Sequence, residues 1–279
     1  MRISIIGLGL MGASLGLAVR KAIPGAQLIG FDVNPAQAAV ALRSKCIERI
    51  SPDLPSAVSD VELLILAVPP GAVAGILESA AAHLPPAALV TDLASTKRSV
   101  LAAARRLLGH GVAYVGSHPM VGSEASGPEH ARADLFDNGL TLLIVEPDTP
   151  PAAAVRLDKF WHQLGMRTTR LGAADHDRLV AAISHLPHAL AAALIRIQEP
   201  AALQIAGRGF RDLTRIAAGS PALWRDILSD NAANLRAAIT QLRGELDHLE
   251  KMLDPARAAD LEAWLAAAAS ARRELDGKP

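Results

Sequence analysis

Three segments carry side chains suited to moving protons or gripping anions. His118 lies in GSHPMVGSEASG (116–127), past a β-branched run, on a turn fixed by Pro119 and followed by Gly122. A neutral imidazole there can accept a proton from a hydroxyl at neutral pH. His185 and His188 lie three apart in ISHLPHALAAAL (183–194), on one face of a helix. That spacing would suit a metal, but no carboxylate or cysteine accompanies it at helical spacing, so no metal is expected. GRGFRDLTRIAAGSPALWRDI (207–227) holds four arginines among glycines. A guanidinium binds a carboxylate with a planar fork, although solvated surface positions account for some of the four.

A second kind of chemistry is written in the first line, MRISIIGLGLMGASLGLAVRK, uncharged from Ile3 to Val19. Such a run would suit an export signal or a short anchor, but its glycines argue for a phosphate loop. Gly7, Gly9 and Gly12 form G-x-G-x-x-G around Leu10 and Met11, directly after a candidate strand. In a dinucleotide site the first glycine permits the bend, the second admits the pyrophosphate and the third lets helix and strand pack closely. Asp32, twenty residues after Gly12 in LIGFDVNP, can bond both adenosine ribose hydroxyls and would repel a 2′-phosphate. The reading is NAD rather than NADP. AVPP (67–70), with Val68 and Pro69, and TDLAST (91–96) end strands at the same carboxyl edge, where the nicotinamide is expected.

These residues need a framework that brings strand ends together. ISII (3–6), QLIGF (27–31), VELLILAV (61–68), ALVTDL (88–93), VAYVGS (112–117), LTLLIVE (140–146) and MRTTRL (166–171) read as strands, with helices at 35–45, 71–83, 97–108 and 152–164 between them. The alternation predicts an α/β fold, a Rossmann-type doubly wound, mostly parallel sheet over residues 1–172. After Gly172 the apolar spacing becomes helical, so residues 173–279 are expected to form an all-helical domain. Its helices are apolar on more than one face, which suits substrate binding at one side and a homodimer contact at another.

Composition narrows the partners. The 279 residues carry 28 basic and 28 acidic side chains, so nothing in the charge balance favours nucleic acid or an anionic membrane. One cysteine, Cys46, rules out an internal disulfide and fits a reducing cytoplasm. Beyond the first line no uninterrupted apolar run reaches the length of a spanning helix, about 18 residues.

GLGLMGASLG (7–16), DLASTK (92–97), HPMVGSE (118–124), DHD (175–177), SHLPH (184–188) and GFRDLTRIA with Trp224 (209–217 and 224) together resemble the prephenate and arogenate dehydrogenases of tyrosine biosynthesis, over almost the whole chain. The resemblance implies NAD-dependent oxidative decarboxylation of prephenate to 4-hydroxyphenylpyruvate, with arogenate or dual use as the alternative. It further implies that His118 is the catalytic histidine and that Ser95 lies near the nicotinamide and the substrate hydroxyl. His185, His188 and Ser184 would line the substrate site, Glu124 would stand at its mouth, and Arg215 would bind substrate carboxylate. Arg208 departs from relatives that carry glycine there. A β-hydroxyacid dehydrogenase shares the glycine loop but needs a lysine early in its helical domain, and here none occurs between Lys159 and Lys251. An inert NAD-binding sensor of the same fold is the rival from outside enzymology.

Overall fold

The computed structural model describes residues 1–123 and 125–276. The chain divides into two compact units, Met1–Ala232 and Ala233–Pro279.

In the first unit β1 (Arg2–Ile6), β2 (Gln27–Phe31), β3 (Arg49–Ile50), β4 (Leu63–Leu66), β5 (Leu89–Asp92) and β6 (Ala113–Tyr114) form a parallel sheet in the order 3-2-1-4-5-6. Helices α1 (Leu10–Ala22), α2 (Pro35–Arg43), α3 (Leu54–Val58), α4 (Pro70–Ala80) and α5 (Arg98–Leu107) follow the first five strands in turn. The central strands are apolar runs because both faces are covered. Ile3, Ile5, Leu15, Val19 and Leu28 pack on one side, and Leu64, Leu66, Val73, Leu77 and Val90 on the other. Chain direction switches between β1 and β4, which opens a crevice at the carboxyl edge.

The expected strand 112–117 is two strands. After β6 the chain leaves the main sheet, and β7 (Gly116–Pro119) joins β8 (Leu140–Ile144) and β9 (Arg167–Leu171) in a separate sheet, with α6 (Pro151–Gln163) between the last two. β7 is antiparallel to β8, and β8 is parallel to β9. The expected strands 140–146 and 166–171 therefore exist, but not in the parallel sheet. Buried polar bonding accompanies the exit: the Ser117 hydroxyl meets Thr91 Oγ1 at 2.8 Å and accepts from Trp161 Nε1 at 3.0 Å. These bonds hold β7 against the end of β5.

Among the described residues no strand follows β9. Residues 173–196 form one continuous helical span made of α7 (Ala173–Val180), a π-helical turn (Ala181–His185) and α8 (Leu186–Arg196). The wide turn has a local cause. Pro187 has no N–H to give and its ring would collide with the carbonyl four residues back in a regular helix. The Leu186 amide bonds instead to the Ala181 carbonyl, five residues back. This span is long and apolar enough to cross a bilayer, with a mean hydropathy of 1.4. Yet four titratable side chains on it, His176, Asp177, His185 and His188, are buried. The first unit continues with α9 (Pro200–Gln204), α10 (Arg208–Thr214) and α11 (Pro221–Asp230). The second unit consists of α12 (Ala232–Met252), which starts one residue before it, and α13 (Ala258–Asp276), bridged by Trp264 Nε1 donating to Glu245 at 3.3 Å.

Candidate active site

The glycine loop is shaped as a cradle. Gly7 has φ +93°, and a Cβ there would lie 2.4 Å from the Ala67 carbonyl oxygen. A Cβ on Gly12 would lie 1.9 Å from the Gly7 carbonyl oxygen, so both positions exclude any side chain. At Gly9 the same construction reaches only Gln37, at 4.0 Å, which leaves the room a phosphate needs. Gly9 caps α1 with no side-chain bond and no acid follows in the first turn, so Leu10, Met11 and Gly12 present an uncompensated helix N-terminus. Asp32, at the end of β2, accepts from the Leu8 amide at 2.7 Å and the Asn34 amide at 2.8 Å. Each carboxylate oxygen keeps a second lone pair for a ribose hydroxyl. Val68 and Pro69 follow β4 beside this loop, with a Val68 methyl 2.8 Å from the Cβ position of Gly7. The residues present fit a dinucleotide.

His118 is 8% exposed and does not stand alone. Its Nδ1 lies 2.9 Å from Nε2 of His176, and Nδ1 of His176 lies 2.8 Å from Oδ1 of Asp177. Asp177 also accepts from the amides of Lys97 at 2.8 Å and Arg98 at 3.0 Å, at the start of α5. Burial raises the pKa of this carboxyl, but His176 and the two amides outweigh it and hold the group below its ordinary value. As a carboxylate it can only accept, so His176 carries its proton on Nδ1 and leaves Nε2 bare. His118 then donates from Nδ1, and its Nε2 is left with a free lone pair. Burial, followed by neighbouring His176, Lys97 and His185, lowers the His118 pKa well below 6.5, so the ring is neutral. The chain of bonds makes His118 a proton acceptor of fixed tautomer.

Beneath this chain lies a buried ion pair. Lys97 is fully buried; its Nζ bonds to Asp92 and donates to the Ser117 carbonyl at 2.7 Å. Asp92 accepts from the Tyr114 hydroxyl at 2.6 Å and the Ala94 amide at 2.8 Å. Desolvation lowers the Lys97 pKa, and Asp92 and Asp177 oppose that. A buried lysine bonded to both Asp92 and the Ser117 carbonyl ties β5 to β7 and so fixes the backbone beside His118. Ser95 lies half-buried in the same loop, two residues before Lys97.

The helical span supplies the other histidines. His185 is fully buried, and burial drives its pKa to about 4. Its Nδ1 lies 3.2 Å from Nδ2 of Asn231. His188, also lowered by burial, stacks on Trp224 with ring centroids 3.5 Å apart, and Trp224 presents its ring edge-on to His185. Ser184, within the wide turn, is half-buried. His185 is among the neighbours that lower the His118 pKa.

Of the four arginines, Arg208 pairs with Asp212 at 3.6 Å, Arg225 with Asp226 at 2.7 Å, and Arg211 donates to the Ala206 carbonyl at 3.0 Å. All three serve local surface contacts. Arg215, itself exposed, opens a half-buried turn, Arg215–Ala218, that packs against α8. Glu124 lies outside the described residues.

Sequence reasoning gave His176, Asp177, Lys97 and Asn231 no role. His176 is 58 residues from His118 and Lys97 is 80 from Asp177, so no local spacing links them. The usable signal was an adjacent His-Asp pair opening an otherwise apolar helix.

The sequence profile of the prephenate dehydrogenase nucleotide-binding domain matches residues 15–170, and that of the prephenate dehydrogenase dimerization domain matches residues 172–267. The prephenate dehydrogenase of Bacillus subtilis is 32% identical over 284 aligned positions, covering 99% of this chain and 76% of the relative. Among solved structures, prephenate dehydrogenase from Aquifex aeolicus in complex with hydroxyphenyl propionate and NAD+ superposes with a TM-score of 0.91 at 27% identity, over 99% of this chain and 98% of that one. Synechocystis arogenate dehydrogenase gives 0.84 at 30% identity, over 99% and 100%. With a glycine cradle at one end, a neutral histidine of fixed tautomer at the other, and both profiles matched in order, the chain belongs to the prephenate dehydrogenase family.

Proposed function

We propose that this chain oxidises prephenate with NAD, releasing CO2 and leaving 4-hydroxyphenylpyruvate, as a homodimer in the cytoplasm with no membrane or nucleic-acid partner. The functional division falls after Gly172: residues 1–172 hold the cofactor, and residues 173–279 bind substrate and pair the subunits. The observation that carries the reading is the Asp177–His176–His118 chain, which presents a bare Nε2 as general base.

Gly7, Gly9, Leu10, Met11 and Gly12 receive the pyrophosphate, Asp32 the adenosine ribose, and Val68 and Pro69 border the path to the nicotinamide. When bound there, NAD would supply the hydride acceptor for the ring carbon that bears the hydroxyl. As that carbon becomes carbonyl-like, the hydroxyl O–H bond breaks and His118 Nε2 takes the proton. His176 and Asp177 share the resulting positive charge through the two hydrogen bonds already in place. Ser95 shares the hydroxyl bond, while Arg215, His188 and Ser184 orient the substrate carboxylates and Glu124 stands at the mouth. When the ring C–CO2 bond breaks, its electrons complete the aromatic ring and the oxygen recovers the proton from His118. Aromatisation and loss of CO2 make the reaction run one way.

The test is NADH formation from prephenate, arogenate and a 3-hydroxy acid, each with NAD and with NADP. Turnover of prephenate with strong preference for NAD is expected. Activity on the 3-hydroxy acid alone would overturn the reading, and equal use of NADP would remove Asp32 from its role.

A further inference from the structure

The Asn231 carboxamide, 4% exposed at the end of α11, sits between two groups of known polarity. Its Nδ2 donates to the Asp177 carbonyl oxygen at 2.7 Å. A carbonyl can only accept, so the atom facing it is the amide nitrogen, and the side-chain orientation is fixed by the network. The same nitrogen has a second hydrogen, directed at His185 Nδ1 at 3.2 Å. That contact requires a lone pair on Nδ1. With the ring neutral, the proton of His185 must be on Nε2. This Nε2 is buried and finds no partner among the described residues.

We propose that Asn231 is a positioning residue that fixes His185 as a neutral Nε2–H donor toward an oxygen of the substrate, the counterpart of the Nε2 acceptor on His118. The inference rests on the reaction proposed above and adds the group that compensates the oxygen as it loses its proton. Both polarities converge on one residue: the Asp177 carboxylate sets the His118 tautomer through His176, and the Asp177 carbonyl, through Asn231, sets that of His185. An orphaned buried donor costs free energy in the empty site and recovers it only when an acceptor arrives. A donor already aimed where charge develops needs no reorganisation at the moment of reaction. The charged or titratable groups that face His185 are Asp177, His176, His188 and His118, and burial outweighs the pull of Asp177, so the donor stays neutral.

The direct test is 15N NMR of the histidine rings in the wild-type protein saturated with NAD, with the His185 signals assigned by their loss in His185→Gln. A bare Nδ1 and a protonated Nε2 on His185 are expected; the opposite tautomer overturns the proposal whatever any variant does. Asn231→Asp puts an acceptor where the donor was and should move the His185 proton to Nδ1. It should lower kcat by about 10²-fold with NAD affinity unchanged, the size of effect expected when one preorganised donor is lost. An Asn231→Asp enzyme that binds NAD and keeps wild-type kcat also overturns it. Failure of the wild-type protein to oxidise prephenate or arogenate would instead strike the functional reading, since the tautomer is measured without turnover.

Discussion

At the scale of single residues, the polarity of His118 is set by what it touches. His118→Asn should leave NAD affinity unchanged and lower kcat about 10²–10⁴-fold, the range for a positioned acid-base group. The His118 pKa lies well below 6.5, so the wild-type rate should be flat through neutral pH. It should fall only when acid protonates Nε2 below the usual histidine range. An acid limb in kcat/KM centred at or above 6.5 would show that another group is the base. Asp177→Asn tests the chain behind it. Asparagine can turn a donor toward His176 Nδ1, which drives the His176 proton to Nε2 and reverses the bond to His118. A loss of kcat of about 10²–10⁴-fold is expected, comparable to the cost of fixing a catalytic histidine in the wrong tautomer. Some stability should go with it, because the variant weakens the bonds to the Lys97 and Arg98 amides. Full kcat in Asp177→Asn would detach His176 and Asp177 from the chemistry.

At the scale of elements, close approach decides which glycines matter. Gly12→Ala would drive a methyl into the Gly7 carbonyl oxygen at 1.9 Å, backbone that cannot step aside. It should abolish NAD binding or cost several kcal/mol in urea unfolding, as other core overpacking does. Gly75, exposed within α4, has nothing within 4 Å of its Cβ position. Gly75→Ala should stabilise by about 0.5–1 kcal/mol, because it removes backbone freedom from the unfolded chain without meeting any neighbour. Equal behaviour of the two variants would refute the packing argument. The same scale explains what the sequence made legible. The β1 loop and Asp32 could be read because the glycines stand at fixed offsets from one another and Asp32 follows Gly12 by twenty residues. The helices at 35–45, 71–83, 97–108 and 152–164 appear as α2, α4, α5 and α6 with ends shifted by up to three residues. The second sheet could not be read, since β7 has the same residue types as a parallel strand and only its partner, β8, reveals the direction. The π turn before Pro187 was equally hidden, because proline announces a disturbance but not which carbonyl the preceding amide will choose.

At the scale of the whole molecule, the cluster of buried histidines is a liability in acid. His118, His176, His185 and His188 are buried, and desolvation is the largest cause of the lowered pKa in all four. The unfolded chain titrates them near 6.5 and so binds more protons than the folded one below that pH. Stability therefore rises with pH through this window, is complete above 6.5, and is lost as pH falls toward the folded pKa values. For His185, whose folded pKa is about 4, the loss at pH 5 is about 2 kcal/mol. The other three act in the same direction, and the His185 loss alone matters against the 5–15 kcal/mol typical of folded proteins. Asp177, also lowered, begins to add its own loss only at more acid pH, below its ordinary value of 3.8. Urea unfolding at fixed protein concentration should show a midpoint that drops between pH 7 and pH 5, with proton uptake on unfolding. His185→Gln removes one of the four titrations and should flatten the slope in proportion. A midpoint that stays constant from pH 7 to pH 5 would mean that these rings are solvated or already charged in the folded protein, and the neutral proton-accepting chain at His118 would fall with that result.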